Sequence, residues 1–331
     1  MSEPGRTQSR PAQAGLVVSG VTDYADGVSA IDTEYVRPQL DASHLIVEDG
    51  RAAFVDTGTS LAVPRLLATL AAKGLAPESV DWVFLTHIHL DHAGGAGKLL
   101  AALPAARLVV HPRGAPHLID PARLIAATKQ VYGEALYARL YGEIVPVDAA
   151  RIVIAEEGLV LALAGRDFEF LHTPGHALHH CAILDRGPMG LFSGDTFGVS
   201  YREFDVAGRE FVMPATTPTQ FDPLQLIASI ERIVALAPRA VYMTHYGRVR
   251  DVARLGRELV RDVAAYAGLA RRHAAASDVR ARLRSALYDY HCALLDAHGF
   301  DPDPVRRHAL LDADVMLNAD GLVAWLERGA R

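Results

Sequence analysis

A short cluster of histidines and aspartates constrains this chain more than any other feature. It reads Thr-His-Ile-His-Leu-Asp-His over residues 86–92 and follows a largely apolar run from Asp81 to Thr86 that is typical of a buried strand. Imidazole nitrogens and carboxylate oxygens are ligands that zinc prefers, and two histidines two residues apart on a tight loop can converge on one ion. The cluster therefore predicts a metal site at the end of a strand.

Three positions farther along the chain also follow predicted strands. They are His176 in His-Thr-Pro-Gly-His, Asp195 in Ser-Gly-Asp-Thr, and His245 in Thr-His-Tyr-Gly. Taken singly, each has an ordinary alternative role, since histidines are often buried for packing and a Gly-Asp pair usually forms a turn. Their joint occurrence with the first cluster favours one shared site.

The order of these motifs resembles that of the metallo-β-lactamase superfamily. Members of this family carry a strand-ending aspartate, an HxHxDH motif, a lone histidine, a lone aspartate and a last histidine. The resemblance runs from about Leu16 to Arg250. It implies an α/β fold, a four-layer αβ/βα sandwich of two similar halves with the metals at one edge. It also implies a ligand set: His87, His89 and His176 for one metal, Asp91, His92 and His245 for the second, and Asp195 as the bridge.

The implied cofactors are two divalent metal ions, with zinc as the expected metal and iron or manganese as alternatives. Two such ions about 3.5 to 4 Å apart lower the pKa of a shared water, and the resulting bridging hydroxide is the expected nucleophile. Asp91 is placed to orient it. Asp56, in Val-Asp-Thr-Gly, matches the family's aspartate that orients the ligand loop, and a turn or cap role is equally open to it. Tyr201 completes the predicted catalytic residues as a donor to a developing oxyanion, although core packing is the commoner role of a tyrosine.

The resemblance implies an enzyme, a metallo-hydrolase, because the bridging aspartate is similar to that of glyoxalase II, lactonase and phosphodiesterase members. We expect a small-molecule substrate, either an ester, a thioester or a lactone. The alternatives are a phosphodiesterase, a diiron redox or oxygen-binding protein of the flavodiiron type, and a non-catalytic protein that holds a ligand in the pocket. Flavodiiron members typically carry a carboxylate where this chain has His89. The basic C-terminal cluster with which glyoxalase II recognises glutathione is not evident in this sequence.

Two segments next to ligand positions are candidates for the substrate pocket. One is the tyrosine-bearing helical stretch from Pro121 to Tyr141, and the other is the loop from Phe197 to Phe221. Four other histidines receive no ligand role, and they are His44, His172, His179 and His180. His179 and His180 lie close to a ligand in the sequence, where a structural role is the commoner one. A pocket-lining role is open to His44, His179 and His180.

Domain organisation follows from where the strand pattern stops. Residues 1–14 are polar and rich in Gly, Pro, Gln and Ser, so a disordered tail is expected there. Residues 15–250 alternate strand and helix patterns and form the expected catalytic domain, with Ala240–Met243 as its last strand. Residues 251–331 repeat apolar positions at helical spacing, which predicts a helical C-terminal extension.

Composition narrows the partners and the compartment. Lys and Arg number 33 against 39 Asp and Glu, so nucleic acid is not an expected partner. The helical extension is electrically balanced and is a candidate interface for a homodimer. The chain as a whole has no uninterrupted apolar run long enough for a membrane span, and residues 1–14 lack the apolar stretch of a secretory signal. The two cysteines, Cys181 and Cys292, are far apart, so a reducing, cytoplasmic location without a membrane partner is expected.

Overall fold

Two β-sheets packed face to face form the centre of the protein, in a computed structural model that describes residues 18–216 and 220–329. The predicted tail over residues 1–14 lies outside the described residues. The first sheet has seven strands in the order β1 to β7, and the second has six in the order β13-β12-β11-β10-β9-β8. The strands are β1 Val21–Asp23, β2 Val28–Asp32, β3 Ala42–Glu48, β4 Arg51–Val55, β5 Val80–Phe84, β6 Arg107–Val110, β7 Ile152–Ile154, β8 Val160–Leu163, β9 Arg166–His172, β10 Cys181–Asp185, β11 Gly190–Phe192, β12 Ala240–Met243 and β13 Gly247–Val249.

Both sheets are mixed. In the first, β1 to β4 form an antiparallel meander, and β4 to β7 are parallel. In the second, β8 to β11 are antiparallel, β12 runs parallel to β11, and β13 closes the edge antiparallel to β12. The prediction that Ala240–Met243 is the last strand is wrong, because Gly247–Val249 pairs with it. A three-residue strand is too short to show an alternation pattern, so only its pairing reveals it.

Helices cover the outer faces of both sheets. The sequence Asp-Pro-Leu-Gln over residues 222–225 is typical of a helix start, and α7, Pro223–Ala235, begins there. Asp222 Oδ1 accepts hydrogen bonds from the backbone N–H groups of Leu224 and Gln225, both at 3.0 Å. The single helical stretch predicted from Pro121 to Tyr141 is divided instead into two helices at Gly133, whose φ of 76° no helix can include. The helices are α1 Val63–Ala72, α2 Leu90–Ala93, α3 Ala96–Ala102, α4 Ala115–Ile119, α5 Ala122–Tyr132, α6 Glu134–Tyr141, α7 Pro223–Ala235, α8 Val252–His273, α9 Val279–His298 and α10 Pro304–Glu327.

Three of the four apolar clusters in the described part of the chain lie between the layers. One lies between the sheets, where the Phe84 ring of β5 contacts Phe168 and Phe170 of β9 at centroid distances of 5.5 and 5.2 Å. Truncating such a buried ring to Ala costs about 3–5 kcal/mol, so these contacts hold the two sheets together. A second core joins the first sheet to α1 and α3, and the third joins the second sheet to α7 and the C-terminal helices. The architecture is therefore the four-layer αβ/βα sandwich that the resemblance implies.

The C-terminal helices α8 to α10 pack on the second half of the sandwich. Leu255, Leu259 and Tyr266 of α8 are fully buried in the same core as Ile230 of α7. Burial of apolar surface contributes about 25 cal/mol per Å², so this shared core binds the helices to the sandwich. Among residues 18–216 and 220–329, none of the helices is both long and apolar enough to cross a membrane.

Candidate metal centre

The seven predicted metal ligands all follow the ends of strands, at one edge of the sandwich. The loop after β5 and the short helix α2 supply four of them, and the segments after β9, β11 and β12 supply one each. The backbone N–H of Cys181, at the start of β10, donates to the carbonyl of Thr86 at 2.7 Å, which joins the two sheets beside the site. All seven residues lie in two groups, in each of which the donor atoms are within 4.8 Å of one another: His87, His89, His176 and Asp195, and Asp91, His92 and His245.

Ring nitrogens of the first group converge on one point. His89 Nδ1 lies 2.7 Å from His87 Nε2 and 3.1 Å from His176 Nε2. The three rings come from two different strand ends, and His176 is 87 positions from His89 in the sequence. The convergence is therefore a product of the tertiary fold.

Backbone carbonyls determine which nitrogen of two histidines faces the centre. His176 Nδ1–H donates to the carbonyl oxygen of Ala215 at 3.0 Å, and His245 Nδ1–H donates to that of Leu40 at 2.8 Å. A carbonyl oxygen can only accept, so the proton lies on Nδ1 in both rings. Nε2 of each ring therefore carries the lone pair and faces the centre, which is how metal-binding histidines are usually oriented.

Asp195 lies between the two groups. Its Oδ2 is 3.2 Å from His176 Nε2 in the first group, and its Oδ1 is 3.2 Å from His92 Nε2 and 3.6 Å from His245 Nε2 in the second. One carboxylate thus faces both groups with a different oxygen. This is the position expected of a residue that bridges two ions.

Asp56 is a hydrogen-bond hub beneath the site. Its Oδ1 accepts from the backbone N–H of Thr86 at 2.8 Å. Its Oδ2 accepts from the Thr86 hydroxyl and His92 Nδ1–H, both at 2.8 Å, and from the Thr244 hydroxyl at 3.0 Å. Both threonines immediately precede a predicted ligand, so one buried carboxylate connects three ligand-bearing segments. Asp56 belongs to neither group of candidate ligands and contacts them through Thr86, His92 and Thr244.

Thr86 and Thr244 were not among the site residues predicted from the sequence. A signal was present, because Thr-His occurs at residues 86–87 and again at residues 244–245, each time after a strand. Two identical dipeptides at corresponding strand ends indicate that the threonines share a role. The structure shows the role to be hydrogen bonding to Asp56.

The two groups differ in electrostatics. Burial lowers the pKa of His87 and His89 well below the usual value, and the neighbouring imidazoles lower it further. Burial also acts to lower the pKa of His92, but the carboxylates of Asp195, Asp56 and Asp91 outweigh it and raise that pKa well above normal. The histidines of the first group are therefore neutral and ready to bind a cation, whereas an ion at the second group must displace a proton from His92.

His180 supports Asp195 from behind. Its Nε2 accepts a hydrogen bond from the backbone N–H of Asp195 at 3.1 Å, and its Nδ1 lies 2.9 Å from the Thr173 hydroxyl. Position 194, immediately before Asp195, requires glycine. Its φ is 47°, and an added Cβ would lie 2.6 Å from His180 Nε2 and 2.7 Å from Thr86 Oγ1. The Gly-Asp turn is thus required by close packing around the site.

The donor set fits a pair of divalent cations. His92 Nε2 and Asp195 Oδ1 are buried and make no well-aligned hydrogen bond within the described part of the chain. Thr86 Oγ1 donates its proton to Asp56 and so accepts from His87 Nδ1–H, which leaves a lone pair on His87 Nε2. Lone pairs of His87 Nε2 and Asp195 Oδ1 therefore face the centre, and His92 Nε2 offers another once its proton is displaced; a cation stabilises this arrangement.

Tyr201 is buried beside this centre. Its hydroxyl donates to Asp314 Oδ1 of α10 at 3.1 Å, and the Arg37 guanidinium lies 4.7 Å from its ring centroid. Arg37 in turn pairs with Glu203 at 2.5 Å. The predicted donor to an oxyanion is therefore engaged with an aspartate of the C-terminal extension.

The other histidines separate into core and site neighbours. His44 packs edge-on against Phe192 and Tyr242 in the core between the sheets, away from the ligands. His172 Nε2–H donates to the carbonyl of Ala155 at 2.8 Å. His179 lies next to the first group, with its ring centroid 5.5 Å from that of His89.

Both predicted pocket segments reach the ligand loops. In the 121–141 segment, Tyr137 and Tyr141 pack with Leu90, which lies between two ligands on the first loop. In the 197–221 segment, the backbone N–H of Ser200 donates to the carbonyl of His245 at 2.5 Å. Whether either segment binds substrate stays a prediction.

Comparisons with known proteins agree with the geometry. A hydroxyacylglutathione hydrolase of Xanthomonas campestris is 33% identical over 187 residues, which cover 56% of this chain and 54% of that protein. A metallo-beta-lactamase fold-containing protein of Sulfurisphaera tokodaii is 28% identical over 52% of this chain and 62% of its own length. The chain thus spans little more than half the length of these relatives.

Similarity to a solved structure extends over more of the chain. A metallo-beta-lactamase family protein of Thermus thermophilus superposes with a TM-score of 0.62 at 22% identity, covering 92% of this chain and 94% of that one. At this identity the likeness shows the fold alone. The family model described as the metallo-beta-lactamase superfamily matches residues 38–245, which include every member of the two ligand groups. This chain belongs to the metallo-β-lactamase superfamily.

Proposed function

We propose that this protein is a dinuclear metal-dependent hydrolase that cleaves a small ester, thioester or lactone. The observation that carries the proposal is the position of Asp195, whose two oxygens each lie 3.2 Å from a ring nitrogen of a different group. The similarity to proteins named hydroxyacylglutathione hydrolase supports hydrolysis. Zinc is the expected metal, because a mixed imidazole and carboxylate donor set suits it.

Bound divalent ions supply Lewis-acid polarisation of a substrate oxygen and lower the pKa of water at the site. The protein's own contribution is to hold the donors and to move protons. Asp91 is the more accessible carboxylate, with 23% of its side chain exposed against 7% for Asp195. We assign Asp91 the transfer of a proton between the attacking water and the leaving group, and Asp195 a purely structural bridge.

The surroundings of Tyr201 carry charges of both signs. Asp314, whose pKa is raised by burial to about 6, accepts the hydrogen bond from the Tyr201 hydroxyl, and the Arg37 guanidinium lies over the tyrosine ring. These opposite charges do not favour a neutral substrate over a charged one, so esters, thioesters and lactones all stay in the proposed substrate class.

Metal analysis followed by a substrate panel tests the proposal. The purified protein is loaded with zinc, and hydrolysis of lactones, esters, thioesters and phosphodiesters is compared with that by His87→Ala and Asp195→Ala. We expect the zinc-loaded protein to hydrolyse a lactone, an ester or a thioester. Both variants should hydrolyse the same substrate about 100-fold more slowly or not at all. Equal turnover by all three proteins would remove the hydrolase proposal, and preferential turnover of phosphodiesters would replace its substrate class.

Tyr201 needs its own comparison, because its hydroxyl is bound to Asp314. If the hydroxyl stabilises an oxyanion, Tyr201→Phe lowers kcat with little change in KM. Asp314→Asn then serves as the matched variant, since it keeps the tyrosine but weakens the acceptor. Equal kcat values for Tyr201→Phe and the unmodified protein would reduce Tyr201 to a packing residue.

The second candidate function is a diiron redox or oxygen-binding protein on the same ligands. The neutral imidazoles of His87 and His89 can bind iron as well as zinc. Iron as the metal retained on purification, a visible charge-transfer band, and reactivity with oxygen or nitric oxide without hydrolysis would favour this function over the first.

A further inference from the structure

We propose that Asn318, on α10 of the C-terminal extension, is a positioning residue for His176. It acts through the loop formed by Pro214, Ala215 and Thr216. The inference rests on the proposed function only in taking His176 as a metal ligand. It gives the helical extension a role in the metal site from outside the sandwich.

A single peptide group links the two residues. The carbonyl of Ala215 accepts the hydrogen bond from His176 Nδ1–H at 3.0 Å. The N–H at the other end of that same peptide group belongs to Thr216, and it donates to Asn318 Oδ1 at 2.8 Å. A peptide group is planar and rigid, so fixing its N–H fixes the direction of its carbonyl. Asn318 therefore determines where the acceptor of His176 points.

Asn318 holds the loop on both sides of that peptide group. Its Nδ2–H donates to the carbonyl of Pro214 at 3.0 Å, and its backbone carbonyl accepts from the Thr216 hydroxyl at 3.1 Å. Its Nδ2 also lies 3.4 Å from the Tyr266 hydroxyl of α8. Asn318 is buried, so these hydrogen bonds are shielded from competing water.

The close approach of α10 to the loop is independent evidence. Gly321 lies one turn after Asn318, and an added Cβ there would be 2.5 Å from the carbonyl oxygen of Thr216. Both asparagine and glycine lower the stability of a helix interior relative to alanine. Two unfavourable helix residues on one face, both against Thr216, indicate a face shaped for this loop.

Hydrogen bonds behind a ligating histidine orient its ring, and their loss typically weakens metal affinity about 10- to 100-fold. We therefore expect Asn318→Ala to lower the affinity for zinc at the group that contains His176 by that factor. The group of His92 and His245 should keep its affinity. Two-step titration with zinc against a competing chelator measures both, and the visible absorption of the cobalt-substituted protein reports the ligand geometry.

Asp303→Ala is the matched control. Asp303 caps the same helix, since its Oδ1 accepts from the backbone N–H of Arg306 at 3.0 Å, and among the described residues no hydrogen bond joins it to Pro214, Ala215 or Thr216. This variant should lower the thermal unfolding midpoint and leave both zinc affinities and the cobalt spectrum unchanged. Parallel losses of affinity in Asn318→Ala and Asp303→Ala would mean that helix stability alone matters, which overturns the proposal.

Gly321→Ala provides a second route if Asn318→Ala does not fold. It raises helix propensity yet pushes the Thr216 carbonyl, so a stabilised helix with weaker zinc binding at the first group supports positioning. Unchanged zinc affinity in the variant that folds overturns the role of Asn318 and leaves the hydrolase proposal intact. Absence of metal binding by the unmodified protein would overturn both, whereas metal binding without hydrolysis overturns the hydrolase alone.

Discussion

Replacing Asp56 by Asn tests whether one buried carboxylate organises the metal centre. The aspartate accepts hydrogen bonds from Thr86, His92 and Thr244 and donates none. An asparagine has nearly the same shape, but one of its ends carries an NH2 group. If that group faces Thr86, it opposes a backbone N–H; if it faces His92, it opposes a ring N–H. In either orientation, at least one buried donor loses its acceptor.

The size of the effect follows from those bonds. An unsatisfied buried donor costs about 1–3 kcal/mol, and hydrogen bonds to a charged acceptor are worth about 1.5–3 kcal/mol against about 1 for neutral ones. Asp56→Asn should therefore lower the free energy of unfolding of the metal-free protein by about 2–4 kcal/mol. Because His92 loses its orienting acceptor, zinc affinity at the second group should fall about 10- to 100-fold.

Urea unfolding and zinc titration measure the two effects separately. Asp185→Asn is the control, since Asp185 is also a buried carboxylate that accepts a hydrogen bond, from Arg166 at 3.0 Å, but at the far end of β10 from the site. The control should lose stability and keep its zinc affinity. Zinc affinities that are equal in Asp56→Asn, Asp185→Asn and the unmodified protein would refute the reasoning.

Three further predictions concern pH, capping and metal removal. Burial lowers the pKa of His44 to about 4, whereas an unfolded histidine titrates near 6.5. The unfolded chain therefore binds a proton at this position before the folded protein does, and the free energy of unfolding falls as the pH drops from about 6.5 toward 4. His44→Phe should therefore shrink the stability loss between pH 7 and pH 5, measured by urea unfolding, by about 2 kcal/mol; an unchanged loss would contradict this. Asp222→Ala removes the cap of α7 and should cost about 1 kcal/mol in the same assay, against no change for the exposed Leu224→Ala. A chelator should lower the thermal unfolding midpoint of the zinc-loaded protein, because the ion binds only the folded site; an unshifted midpoint would mean that the site holds no ion.

The local pattern of apolar and polar residues was enough to predict most strands and helices of the sandwich. The strands at Arg107–Val110 and Ala240–Met243 have the bounds that their apolar runs predict, because both are buried on a sheet. The cap at Asp222 likewise needs only its own neighbours. β13 and the break at Gly133 were missed, since one is defined by pairing and the other by a single backbone angle.

Sequence alone determined the identity and order of the donor residues and their positions at strand ends, because these are properties of short segments. Only the tertiary structure decided which nitrogen of the His176 and His245 rings faces the centre. It also decided that the Asp195 carboxylate contacts both groups of ligands, and that Asp56 is hydrogen-bonded to Thr244, 188 positions away. It also decided that α10 reaches the loop behind His176. Such contacts depend on how sheets and helices pack, and packing over long sequence distances leaves no periodic trace in the chain.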